Sequence, residues 1–85
     1  MYGIEDLIRN IVFQYGPGTY PTALLLDMGL SKLIKEKDYP EDVNTQIEQW
    51  VKDLVIETED SSITIKRVEA GDQGWFQRWD IIEVL

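Results

Sequence analysis

The densest group of potentially reactive side chains in this sequence is acidic: Glu57, Glu59 and Asp60 lie almost side by side. Two carboxylates can divide general-acid and general-base work when their environments separate their proton affinities. These three sit in the polar run Glu57-Thr58-Glu59-Asp60-Ser61, which reads as a loop, with no cleft-forming sequence around it. A solvated loop accounts for them without chemistry. The same residues could hold a cation, but a calcium loop requires alternating acids, a central glycine and a distal glutamate. Neither Glu57 to Ser62 nor Asp72-Gln73-Gly74 has that pattern. Ser31, Ser61 and Ser62 have no imidazole to activate them. The chain contains no His and no Cys, which removes the usual base near neutral pH, the thiol nucleophile and the thiolate metal ligand. Gly16 and Gly18 bracket Pro17 but lack the strand–turn–helix setting and the lysine of a phosphate cradle. The residue types therefore imply no catalytic site, no metal site and no cofactor.

The elements that would carry any site follow from hydrophobic spacing. Ile4, Leu7, Ile8, Ile11, Val12 and Tyr15 form one apolar stripe at helical period, with Glu5 and Asp6 at the positive end of the helix dipole. Gly16-Pro17-Gly18 ends this first helix. Tyr20-Pro21 favours extended backbone, because a residue before proline avoids the α region. Ala23 to Leu26 is apolar throughout and fits a buried strand or a helical turn equally. Leu30, Leu33 and Ile34 indicate a short second helix, with Lys32, Lys35 and Lys37 on its wet side. Asp38-Tyr39-Pro40 closes it. Val43, Ile47, Trp50, Val51 and Leu54 then define a long third helix, opened by Pro40, Glu41 and Asp42.

Near Ser61 the period changes from helical to alternating. Ile63 to Val68 reads as one strand, Glu69 to Gly74 as a hairpin loop, and Trp75 to Val84 as a second strand. On that strand Trp75, Trp79 and Ile81 share one face, and Phe76, Ile82 and Val84 share the other. A strand apolar on both faces needs cover on both. Trp75, Trp79, Ile81, Ile82 and Val84 are therefore the candidate interface residues, packing or pairing with a neighbouring chain, although core packing fits Trp75 and Trp79 equally well. Trp50 falls on the stripe of the long helix and belongs to the core. The expected fold class is α+β: two main helices plus a short helix packed on a small sheet with a C-terminal β-hairpin, in a single domain over residues 1–85.

Sixteen acidic residues oppose eight basic ones, for a net charge of −8. A phosphate backbone would be repelled by most of this surface, which disfavours direct nucleic-acid binding. The charge either keeps the chain soluble or imitates nucleic acid toward a basic cleft. No basic, apolar leader precedes Ile4 and no apolar run is long enough to span a bilayer, so neither secretion nor membrane insertion is expected.

Pro17-Gly18-Thr19-Tyr20-Pro21, followed by Met28-Gly29-Leu30, resembles the segment after the first helix in the small baseplate wedge proteins of contractile phage tails and related injection machines. The order of elements from about Ile4 to Val84 is similar to that family's. The Glu-Pro-Arg triplet usual at the end of the family's long helix is absent from Lys52 to Thr58, and a further proline usual before the glycine is absent from Ala23 to Leu26. The resemblance implies a fold like the lattice-forming domain of the sheath protein. It also implies a structural assembly role in the virion tail baseplate after synthesis in the host cytoplasm, with other wedge proteins and the sheath protein as partners in many copies. Two alternatives stand beside it. One is a small acidic inhibitor that mimics nucleic acid. The other is an acidic winged-helix module that binds protein, since three helices followed by a hairpin is also that order. All three place the chain among proteins that work by binding other proteins. Purified protein is accordingly expected to show no hydrolase or transferase turnover; reproducible turnover that disappears in Glu57→Gln or Glu59→Gln would overturn that expectation.

Overall fold

The structure, a computed structural model, describes residues 2–34, 41–69 and 74–85. Lys35, Lys37, Asp38, Tyr39, Pro40 and most of the expected hairpin loop, at 70–73, lie outside the described residues. The first helix, α1 (Ile4–Tyr15), buries Leu7, Ile8 and Ile11. Its first turn is closed by the Gly3 N–H donating to Asp6 Oδ2 at 2.8 Å. Gly16 then turns the chain with φ 84°, a conformation that costs glycine little. The Tyr20 hydroxyl donates to the Gly16 carbonyl at 2.5 Å, tying the helix end to the strand that follows.

That strand, β1 (Gly18–Pro21), is the extended stretch expected at Tyr20-Pro21. The ambiguous run after it is helical: α2 spans Thr22–Leu25. Its burial is one-sided, with Thr22 and Leu25 inside and Ala23 exposed, as a helix requires. A wide turn over Leu26–Leu30 leads into α3 (Ser31–Leu33). Gly29 stands at φ 136°, ψ −6° in that turn. A side chain there would be strained by the backbone angle, and its Cβ would come within 2.6 Å of the Tyr2 hydroxyl. Burial, and then the charge of Asp6, push the Tyr2 phenol above its ordinary pKa. Leu30 and Ile34 are buried, as their spacing demands.

The long helix, α4 (Glu41–Val51), buries Val43, Ile47 and Val51. It ends before Leu54, because Asp53 takes the left-handed region at φ 60°. Leu54 still packs on the core from outside the helix. Two residues later the chain enters β2 (Ile56–Glu57), then β3 (Ser62–Arg67) and β4 (Arg78–Val84). The change from helix to strand therefore falls between Val51 and Ile56, ahead of the expected break near Ser61, and the α+β class with its C-terminal hairpin is the observed one. Glu57 closes a short strand, so the acidic loop is shorter than its composition suggests.

Two expectations about the last strand are corrected. Gly74–Phe76 is a single 3₁₀ turn, so Trp75 does not share a strand face with Trp79. The cause lies at Gln77, which is buried and donates its side-chain amide to the carbonyls of Arg78 (2.8 Å) and Val68 (3.3 Å). That anchor fixes where pairing starts. Nor is β4 or its hairpin partner an edge. The strands are all antiparallel in the order β1-β4-β3-β2, so β1 covers one side of β4 and β2 one side of β3. The register of β1 ends with Gly18 opposite Ile81, whereas β3 pairs as far as Val84. Ile82 to Val84 therefore have a strand neighbour on one side only among the described residues.

Trp79, Ile81, Ile63, Ile65 and Ile56 fill the covered face of the sheet against α1, α2 and α4. The opposite face is largely polar: Thr19 donates to Asp80 at 2.6 Å, and Arg78 and Lys66 stand exposed. One buried network crosses the layers. Trp79 Nε1–H donates to Thr22 Oγ1 (2.9 Å), and that hydroxyl donates to Asn44 Oδ1 (2.6 Å). Asn44 Nδ2 in turn donates to the Gly74 carbonyl (2.9 Å), and the Thr22 N–H to the Gln77 carbonyl (2.8 Å). Among the described residues no buried side-chain nitrogen or oxygen is left unpartnered.

Replacing Thr22 by Val keeps the shape but strands the Trp79 donor and the Asn44 acceptor, each worth about 1–3 kcal/mol when unsatisfied. Urea denaturation is expected to show Thr22→Val clearly less stable than Thr22→Ser, which retains the hydroxyl. Equal stability would show that the network is not a structural requirement. Gly29→Ala is expected to lose about 1–3 kcal/mol from backbone strain. Most of that loss should persist in a Tyr2→Ala background, because removing the phenol relieves the contact and not the angle.

Candidate protein interface

The five residues singled out for an interface separate into three environments. Trp79 (0% exposed) and Ile81 (2% exposed) are core residues and are not available to a partner. The reason is β1: once it pairs with β4, the face carrying these two side chains is the face that α1, α2 and α4 cover. Ile82 and Val84 lie on the uncovered face and are exposed, Val84 the more so. Trp75 is partly exposed in the 3₁₀ turn at the other end of the strand, beside the strongly exposed Phe76. The sheet thus does not present one aromatic strip. It presents an aliphatic end at Ile82 and Val84 and an aromatic turn at Trp75 and Phe76.

The residues carrying the family resemblance also divide. Pro17 is an exposed bend, Gly18 to Pro21 form β1, and Met28, Gly29 and Leu30 sit in the wide turn between α2 and α3. Each has a conformational or packing task. Gly18 leads away from the helix end, Tyr20 binds back to it, and Leu30 enters the core.

Several further apolar side chains are exposed where the periodicity reading did not expect it. Phe13 is 89% exposed, and it is the one large apolar residue of α1 that lies off the buried stripe. That position was the available signal. Tyr15 was placed on the stripe, yet it is largely exposed and rests in a tilted contact on the Tyr20 ring, with centroids 6.5 Å apart. Leu85 extends the aliphatic end beyond Val84.

Two open depressions mark the surface, the second beside Phe13. One, of about 800 Å³, lies between the end of α4 and β3, with Glu48, Lys52, Lys66 and Arg67 on its walls. Arg67 reaches across it to Glu48 at 2.8 Å. Both groups are largely exposed, so this pair adds little stability. The other, of about 590 Å³, runs between α1 and the β2–β3 turn and is lined by Arg9, Val12, Phe13, Thr58, Ile63 and Glu83 among others. The turn beside it is rigidly built. The Thr58 N–H donates to the Ser61 carbonyl (2.9 Å), the Ser61 N–H donates to Thr58 Oγ1 (2.9 Å), and the Ser61 hydroxyl donates to Glu83 (2.8 Å). Arg9 is held by Glu5 (3.2 Å) and by the Glu57 carbonyl (2.9 Å).

The arrangement offers surface chemistry of the docking kind. Glu57, Glu59 and Asp60 are all exposed, and no group of three or more acidic residues among the described ones is close enough to hold a metal ion. Among the described residues no helix is long and apolar enough to cross a membrane. No family model, no curated protein and no solved structure matches this chain.

The division between core and surface is checked by paired substitutions. Ile82→Lys and Val84→Lys are expected to change stability by no more than about 0.5 kcal/mol each, as ordinary surface positions do. Trp79→Ala is expected to cost about 3–5 kcal/mol, if the protein folds at all. Thermal and urea melts of the three variants measure this directly. A severe loss in Val84→Lys would mean that the outer face is covered.

Proposed function

We propose that this chain is a protein-binding module of winged-helix arrangement with no catalytic role of its own. The observation that carries the reading is the strand order. β1 lies between the first two helices in sequence, yet it pairs with the last strand, and β3 and β4 close the molecule as a hairpin beside α4. In a winged helix the strand after the first helix likewise joins the closing hairpin, and the hairpin becomes the wing. Arrangement alone does not assign a partner; the surface must do that. The outer face of α4, where such a module would meet a DNA groove, carries Asp42, Thr45, Glu48 and Gln49, with Lys52 and Asp53 just beyond the helix. Three acids and one base give that face the wrong charge for a phosphate backbone. The exposed aromatics in the turn that leads into β4 suit a protein surface, where such side chains act as anchors.

A second reading is supported by a different observation. Ile82 to Val84 extend past β1 and leave one side of the strand open, which is what strand addition by another chain needs. Together with the order of helix, glycine turn, extended stretch and long helix, this favours the baseplate wedge reading. Other wedge proteins and the sheath protein would then be the partners, and the tail baseplate of a virion the location.

Fluorescence anisotropy with a labelled DNA duplex at low salt tests the first reading, with no saturable binding expected. A photo-cross-linker at Gln49 is expected to give a discrete protein adduct in the producing cell. Tight, strongly salt-dependent duplex binding would overturn the proposal. Cofractionation with contractile tail particles, lost when Ile82 and Val84 are replaced by lysine, would favour the wedge reading over the winged helix.

A further inference from the structure

We propose that the groove between α1 and the β2–β3 turn is a docking site for a basic segment of a partner protein that carries one large apolar residue beside Phe13. The inference rests on reading the chain as a protein-binding module, and it names the partner's chemistry at a surface built from α1, the β2–β3 turn and the open end of the hairpin. Three observations meet there. The groove has about 590 Å³ of space, and Val12 and Ile63 contribute apolar wall. Phe13 stands at its side 89% exposed, and it serves none of the packing that occupies the rest of the apolar residues of α1. The charge around it is mostly acidic: Glu83 lines it together with Arg9, and Glu57, Glu59 and Asp60 belong to the adjoining turn and strand. Arg9, the basic residue on the wall, is committed to Glu5 and the Glu57 carbonyl.

Charge decides among the occupants. A second copy of this chain would set these carboxylates against their own counterparts and one molecule of net charge −8 against another. A nucleic acid is repelled for the same reason. A lysine- or arginine-bearing segment is attracted over a distance and held by contact with Phe13, the usual division between steering charge and apolar anchor. The turn is already fixed by the Thr58, Ser61 and Glu83 hydrogen bonds, so binding orders little that was not ordered before.

The test uses the full chain and two synthetic peptides, an amphipathic Lys/Leu helix and its Glu/Leu counterpart, followed by amide chemical-shift mapping and anisotropy. The Lys/Leu peptide is expected to bind with salt-dependent affinity, and its shifts to centre on Phe13, Ile63 and Glu83. Phe13→Ser and Glu83→Gln are each expected to weaken it about tenfold, while Asp27→Lys, a charge reversal away from the groove, leaves it within about twofold. Circular dichroism confirms the fold of each variant. Absent binding, equal binding of the Glu/Leu peptide, an equal loss in Asp27→Lys, or self-association through Phe13 would each overturn the proposal. If the groove fails while the Gln49 adduct persists, the docking site falls and the protein-binding reading stands; duplex DNA binding removes that reading itself.

Discussion

The Thr22 hydroxyl is the contact on which the rest of the structure depends. It receives the Trp79 indole N–H and gives its own proton to Asn44, so one oxygen joins the first turn of α2 to the central strand and to the long helix. Asn44 passes the constraint on to Gly74, and the Thr22 N–H passes it to Gln77, which brings in the start of β4. Trp79 is the largest fully buried side chain, and its donor would be costly if left unpaired in an apolar core. A buried polar network of this kind is satisfied in one packing only, so it selects the arrangement of helices on the sheet as well as stabilising it.

Once that register is fixed, the sheet has a covered face and an open one. The covered face takes the isoleucines of β2, β3 and β4 together with Trp79, and the helices seal it. The open face is mostly polar, as an antiparallel sheet with one wet side usually is. Ile82 and Val84 break that pattern where the strand outruns β1. The edges themselves are modest: β2 is two residues long, and β1 ends in a proline, which offers no N–H for further pairing.

Charge then distributes function over this frame. The fold order alone would permit a nucleic-acid reader, but the outer face of α4 carries acids where such a reader needs bases. Acids also gather around the Phe13 groove. Both surfaces favour a partner of opposite charge.

The sequence by itself determined the helical stripes of α1 and α4, the break at Gly16 and the alternating period of the strand after Ser61. Each of these is a local signal: apolar spacing, glycine geometry and alternation act within a few residues. It also determined what chemistry was missing, because absent His and Cys need no structure to count. Tertiary structure decided the rest. Ala23 to Leu26 became helical because only a helix could bury Leu25 and Thr22 together while placing the Thr22 hydroxyl under Trp79. Trp79 and Ile81 moved from candidate interface to core because β1, distant in sequence, paired with β4 and turned that face inward. Trp75 left the strand because Gln77 anchored its beginning. Phe13 became visible only when the packed stripe left it out. For α2 and for the inward face of β4 the deciding partner lies tens of residues away, and periodicity along the chain carries no record of which distant segment will cover which face.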